Sequence, residues 1–167
     1  MEEEANNYFR DLRGTMSNDF DFLLGGWKVL NTRLSQWLCE CTEWTEFESF
    51  HEERKLSSGQ GNVAFHQYVM GRVLYERNVL RSYNEKLDFW KIDRLDAMTN
   101  LIVSPLQGTF WRNKGSFLST GQLNGQHVIV WVEWTRIGDT YACWEQALSG
   151  DKGKSWETNW VMEFFRK

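Results

Sequence analysis

Proline is nearly missing: Pro105 is the only one in 167 residues. That excludes a collagen-like or polyproline chain and leaves no Pro-rich linker between domains. Cysteine is sparse too, with Cys39, Cys41 and Cys143 the three present. Cys39 and Cys41 stand too close in sequence for an unstrained disulfide, and no second pair completes a zinc site. Three free thiols, a reducing compartment and no metal are the expectation. No run approaches the ~18 apolar residues of a membrane-spanning helix. No basic stripe breaks the mixed charge pattern, whose formal sum is -4, so neither membrane nor nucleic acid is expected as a partner. The opening Met1-Glu2-Glu3-Glu4-Ala5 has neither the positive nor the apolar region of a secretory signal, which predicts a cytoplasmic protein. Serine-nucleophile chemistry lacks its Gly-x-Ser-x-Gly signature. Gly59-x-Gly61 is followed by no helical pattern, so it predicts a turn and not a phosphate loop.

Aromatic side chains, by contrast, are abundant, with 10 Trp and 11 Phe, and 41% of residues are hydrophobic. Such a chain has ample apolar surface to offset the entropy of ordering. The aromatic load exceeds what the core of one domain this long requires. Bulky indoles, each with an N–H that wants a partner, point to a lined cavity or an interface.

Residues 1–18 predict a helical lead-in, with Tyr8, Phe9 and Leu12 on one side, and residues 19–167 a single β domain. Short β-rich runs broken by turn residues predict strands at Gly26–Leu34, Thr42–Leu56, Asn62–Met70, Arg72–Arg81, Leu87–Asp93 and Gln107–Trp111. Asn124-Gly125 is the strongest hairpin signal, pairing Phe117–Leu123 with Gln126–Thr135. A three-residue loop, Arg136-Ile137-Gly138 with Gly138 left-handed, then leads to Asp139–Leu148. The turn Ser149–Lys154 leads on to Trp156–Arg166. The fold class is therefore all-β: an antiparallel up-and-down barrel of about ten strands with a short N-terminal helix. Closure removes the sheet edges, and a barrel of more than about eight strands is too wide for its side chains to fill, so an internal cavity follows.

The odd loop length puts Val128, Val130, Val132 and Trp134 on one face with Ala142, Trp144, Gln146 and Leu148. The last hairpin adds Trp156, Thr158, Trp160, Met162, Phe164 and Arg166 to it. The opposite face carries His127, Glu133, Glu145, Glu157 and Glu163. It also holds Ile129, Trp131, Val161 and Phe165, more apolar groups than a solvated wall needs. That surplus suggests packing against the N-terminal helix or a second subunit, making a homodimer a candidate assembly.

Gly25-Gly26-Trp27 near the start and Arg166 near the end resemble the lipocalin (calycin) signature. The wider pattern is similar to a bacterial family of lipocalin-like domains with no settled function. It runs through Asp19–Trp27, Trp44-Thr45-Glu46-Phe47, Gly59–Asn62 and Trp144–Trp160. The resemblance implies a barrel closed at one end by Trp27, with Arg166 stacked across it, and Gly25, Trp27 and Arg166 as structural residues. It implies no activity. The match is weakest from about Leu74 to Phe110, the segment expected to shape one rim.

Gln146 and Thr158 lie on the expected inner face among Trp134, Trp144 and Trp160. They would orient a ligand there or hydrogen-bond each other. Arg33 shares the alternation of Trp27, Val29 and Asn31. It either points inward to an acid or an anionic ligand such as a carboxylate, or reaches solvent at the strand end. His51 shares a face with Phe47, His66 is ambiguous, and His127 faces outward. A general base or a haem ligand competes with ordinary surface histidines for these three. Glu46/Glu48 and Glu52/Glu53 predict a solvated strand edge. Two functions follow. One is a binding module for a small hydrophobic or aromatic molecule, with Arg33, His51, His66, Trp134, Trp144, Gln146, Thr158 and Trp160 around it. The other is a small cofactor-free isomerase or cyclase in the same barrel. A cofactor is not expected under either, with haem the remaining alternative.

Overall fold

The computed structural model describes residues 16–96 and 101–167. Among them are eleven antiparallel strands: β1 (Gly25–Leu34), β2 (Trp44–Lys55), β3 (Gly61–Met70), β4 (Val73–Asn84), β5 (Phe89–Asp96), β6 (Leu101–Val103), β7 (Leu106–Trp111), β8 (Lys114–Leu123), β9 (Gln126–Thr135), β10 (Tyr141–Ser149) and β11 (Glu157–Arg166). Most of the helical lead-in expected over 1–18 lies outside the described residues. Its end, Met16–Asn18, is a single 3-10 turn, and a second follows at Asp21–Leu23.

β1 to β5 pair in sequence, β5 pairs with β7, β7 to β11 pair in sequence, and β11 pairs back onto β1, so the sheet closes. β6 and β7 both lie against β8 and form one interrupted strand, which makes ten positions around the barrel. The interruption falls at Ser104-Pro105, because proline has no N–H to donate to the ladder. The Leu101–Val103 piece was not foreseen from the sequence.

The Asn124-Gly125 turn forms as expected, with φ of +50° and +82° and Leu123 facing Gln126. The next connection is longer than expected. It runs over residues 136–140, and Arg136, at φ +48°, takes the left-handed position assigned to Gly138. Five residues and three are both odd, so the faces are preserved: Trp134 lies opposite Trp144, and both are buried inside.

One end of the barrel is solid. Phe20 enters it ahead of β1 and meets Trp90 and Phe110 edge-on at 4.9 and 4.8 Å, with Phe117 stacked at 5.7 Å. Trp27 is fully buried and donates its indole N–H to the Leu23 carbonyl at 2.8 Å. The Arg166 guanidinium lies 3.8 Å from the centre of the Trp27 ring and also donates to the carbonyls of Leu24, Phe22 and Asp139. A cation over an indole contributes about 0.5–2 kcal/mol. Here it also satisfies carbonyls at the exit of the second 3-10 turn. The expected hollow is therefore absent from this half.

Candidate functional site

The other half of the barrel is polar inside. Strand alternation turns Ser49, His51 and Glu53 inward from β2, Asn62, Ala64, His66 and Tyr68 from β3, and Arg77, Val79 and Arg81 from β4. Glu53 is 2% exposed, which overturns its reading as part of a solvated edge; Glu52, one residue earlier, does face out. His51 and His66 stand directly opposite each other across β2 and β3.

These groups form one continuous buried chain. Trp160 Nε1 lies 3.0 Å from Asn31 Oδ1, and Asn31 Nδ2 lies 2.7 Å from Ser49 Oγ. Ser49 Oγ lies 2.8 Å from His66 Nε2, and the two Nδ1 atoms of His66 and His51 are 3.3 Å apart. His51 Nε2 then reaches Glu53 Oε2 at 2.9 Å, and Arg81 Nη1 holds Glu53 Oε1 at 2.7 Å. The chain has only one self-consistent direction with both rings neutral. Glu53 is an acceptor, so His51 must donate from Nε2 and accept at Nδ1. His66 must then donate from Nδ1 and accept the Ser49 hydroxyl proton at Nε2. Ser49 in turn accepts from Asn31, which accepts from Trp160.

Electrostatics favour that neutral state. Burial holds both imidazoles below the ordinary histidine range, His66 well below it. The Arg77 and Arg81 guanidiniums push further down, while Glu53 offsets part of the effect at His51. Burial alone would raise Glu53, but Arg81, His51 and Asn62 outweigh it and keep its carboxyl below the usual range. The group is thus an ion pair, Glu53–Arg81, with a polarised neutral chain attached.

Two hollows adjoin this chain. The inner one, about 20 Å³, is bordered by His51, His66, Arg77, Arg81 and Arg94, with Trp134, Trp144 and Phe164 among its apolar walls. It has room for about one water molecule. The outer one, at the rim, measures about 240 Å³. Trp37 and Trp160 form its aromatic side, Leu95 and Leu101–Val103 an aliphatic side, and Arg77, Arg94 and Gln146 the polar side. A wider hollow of about 420 Å³ lies on the outer wall beside Phe50 and Phe65 and next to the exposed Glu52–Arg54 ion pair.

The residues expected at a site divide as follows. Trp160, Gln146 and, nearby, Arg33 belong to the rim, with the Arg33 guanidinium 5.1 Å from the centres of both Trp37 and Trp160. Trp144, His51 and His66 border the inner hollow, and Trp134 packs between that hollow and the aromatic plug against Phe22. His127 is exposed, as expected. Thr158 and Trp156, expected inside, are exposed. The cause is a bulge: Gln146 faces Trp160 but Ala147 faces Thr158, so Asn159 is an extra residue and reverses the alternation beyond it. Asn159 takes the inward place and accepts from Gln146 Nε2 at 3.1 Å, while Gln146 Oε1 accepts from Arg94 at 3.0 Å.

Arg77, Arg94, Trp37, Asn159 and Glu53 were missed from the sequence. Alternation along β2, β3 and β4, anchored on the turn at Gly59, was the signal that could have found His66, Arg77 and Arg81 together with Glu53.

No protein-family model and no curated protein sequence matches the chain. Its fold does have a solved counterpart. The chain is similar to the S-type phycobiliprotein lyase CPES from Guillardia theta, with a TM-score of 0.62 over 92% of this chain and 93% of that one. Identity is 9%, so the likeness is one of architecture: a ten-position antiparallel barrel.

Proposed function

We propose that the protein is a small-molecule-binding barrel that takes one largely apolar or aromatic ligand into the rim cavity. The observation that supports this reading most directly is the rim hollow of about 240 Å³ between Trp37 and Trp160, with three polar groups converging on one side. Small-molecule sites have that character: apolar walls and a few fixed polar anchors. Pockets for drug-sized ligands occupy about 300–1,000 Å³. A cavity below that range suits a molecule of one or two rings. Haem or a linear tetrapyrrole would require the rim to open.

The catalytic alternative has one observation in its favour, the paired imidazoles beside the inner hollow. A general base must offer a lone pair to its substrate. In the ordered chain all four ring nitrogens are already engaged, by Ser49, by each other and by Glu53. Binding without turnover is the better-supported function.

The test is a panel of aromatic acids and alcohols, medium-chain fatty acids, flavins, haem and a linear tetrapyrrole, read by tryptophan emission and melting temperature. Trp160 and Trp37 sit in the cavity wall, so a bound ring alters their emission, and binding raises the melting temperature by mass action. A panel in which every member leaves both signals unmoved refutes the reading.

A further inference from the structure

The barrel wall is interrupted beside the rim cavity. β5 pairs with β4 along its whole length, from Arg77 opposite Asp96 to Asn84 opposite Phe89, but with β7 only at Trp90, Lys91 and Ile92. Beyond Ile92, no strand among the described residues lies against that edge of residues 93–96. β6, which would continue β7 there, pairs with β8 alone. The divergence falls at Pro105. Just before it, Ser104 donates its N–H to the Thr120 carbonyl, and its own carbonyl accepts the Ser119 hydroxyl proton. The chain ahead of Pro105 is thus fastened to β8 and not to β5. A seam of three to four residues results, about 10–13 Å long at the rise of a strand.

The facing of the two strands shows that the cavity runs through this seam. Ile92 is buried and Arg94 borders the inner hollow, so Leu95 points outward and is 72% exposed. Leu101 lies opposite the buried Leu123, so Ile102, opposite the exposed Gln122, points outward as well and is 74% exposed. Both outward side chains nevertheless border the rim cavity, together with the inward Arg94, Leu101 and Val103. A hollow bordered by both faces of two unpaired neighbouring strands passes between them. Its mouth is apolar: Leu95 and Ile102 are the most exposed large hydrophobic side chains among the described residues.

The end of the barrel is fastened by comparison. Trp37, on the connection between β1 and β2, donates its indole N–H to the Leu34 carbonyl at 3.1 Å and lies 5.1 Å from the Arg33 guanidinium. Beside it, the Leu38 N–H donates to the Glu157 carboxylate at 2.8 Å, and the Ser35 N–H to the Glu43 carbonyl at 2.9 Å. Entry past Trp37 breaks bonds of this set, whereas entry between Leu95 and Ile102 breaks no ladder bond. We infer that the ligand enters and leaves sideways, through the seam between β5 and β6. Leu95 and Ile102 select at that mouth, because a charged group passing between them loses hydration without a partner. This inference rests on the binding reading above and adds the route and the residues that control it.

Blocking one route at a time tests it on the full chain. Leu95→Cys with Cys39→Ser and Cys41→Ser places one exposed thiol at the seam. Cys41→Ser alone leaves the natural exposed Cys39 on the connection that carries Trp37. Each is coupled to a polyethylene-glycol maleimide, and entry and exit of 4-nitrobenzyl alcohol, which quenches tryptophan, are followed by stopped-flow fluorescence. A panel member that binds in its place serves as the probe if this one does not. The label at position 95 should slow association at least about tenfold. It should slow dissociation too, since one door serves both directions, whereas mere loss of a wall contact would speed dissociation. The label on Cys39 should leave both rates within about twofold. Ile102→Cys in the same background repeats the test from the other side of the seam. Unchanged rates with the label at either seam position, or a greater slowing from Cys39, overturn the route but leave the binding function standing. An unlabelled protein that binds neither this probe nor any member of the panel removes the binding reading and this one with it.

Discussion

Lowering the pH from 7.5 to 5.5 tests the buried chain without a mutation in it. His51 and His66 are neutral in the fold and have a reference value of 6.5 when exposed. Their folded values are depressed, so below about pH 6.5 the unfolded state binds protons that the native state does not. Stability is fully present above that pH and falls as the pH drops toward the folded values. Each unit of depression corresponds to 1.36 kcal/mol. By pH 5.5, a unit below the reference value, His66 alone removes about 1 kcal/mol, and both rings together remove up to about 3 kcal/mol. A competing group lies at the closed end. Asp19 is raised to about 6, chiefly by burial and further by Asp88 and Asp21, against the lowering effect of the Trp90 N–H. A carboxyl raised in the fold gains stability as the pH falls through its folded value, so Asp19 opposes the histidines. Its contribution is below about 1 kcal/mol, because the group is partly solvated and screened.

The clean experiment is therefore urea unfolding of Asp19→Asn at the two pH values. Asparagine retains an oxygen to accept from Trp90. This variant should lose about 1–3 kcal/mol between pH 7.5 and 5.5, and the unmodified protein should lose less. Nitrogen NMR of the imidazoles gives a second reading, with His127→Asn removing the third ring from the spectrum. His51 should carry its proton on Nε2 and His66 on Nδ1, both rings neutral at pH 6. Identical unfolding free energies at the two pH values in Asp19→Asn, or a charged His66 at pH 6, would refute the reasoning.

Two other perturbations follow from the packing. Glu53→Gln strands the buried Arg81 guanidinium and should cost about 3–5 kcal/mol in denaturant unfolding. Removing the pair together, as Glu53→Gln with Arg81→Met, should cost less than the single change, and the reverse order would show that the ion pair is not the source. Gly108→Ala would set its Cβ 2.0 Å from the Ser116 carbonyl oxygen and force β7 from β8, whereas Gly125→Ala meets nothing within 4 Å and strains only a φ of +82°. Losses of at least about 2–3 kcal/mol and about 1 kcal/mol are expected in turn, and equal losses would contradict the close approach.

How much was legible depended on whether the signal was local. The Asn124-Gly125 hairpin and the faces of β9 and β10 were readable because turn chemistry and period-two alternation lie within a few residues of each other. Trp27 and Arg166 were found through a resemblance, and the geometry places one over the other. Thr158 was misplaced because a bulge carries no composition signature: Asn159 looks like any strand residue until its partner strand is known. The pairing of His51 with His66 needed the register of β2 against β3. The reach of Glu53 to Arg81 needed β4 as well. Glutamate in a Glu52-Glu53 pair is ordinarily solvent-facing, and the guanidinium 28 residues later, with His51, makes the inward position tolerable.

The tryptophan excess also has two physical causes where the sequence suggested one. Trp27, Trp90 and Trp134 fill the closed end, where Phe20 and Phe22 enter among them and leave no hollow. Trp37 and Trp160 stand at the rim, where Arg33 and Arg77 lie over the Trp160 ring and keep side chains from collapsing into the space beside it. An indole can do both because its face accepts either an aromatic edge or a cation. What separates a plug from a wall is therefore the inward residue on the neighbouring strands, phenylalanine in one half and arginine in the other. Trp160 joins the two regimes. Its ring faces the rim cavity while its N–H begins the chain that ends at Glu53, so a ligand that turns this ring disturbs the first hydrogen bond of the buried network. Ligand binding and the histidine resonances should then be linked, with the His66 signal shifting on binding although His66 lies outside the rim cavity.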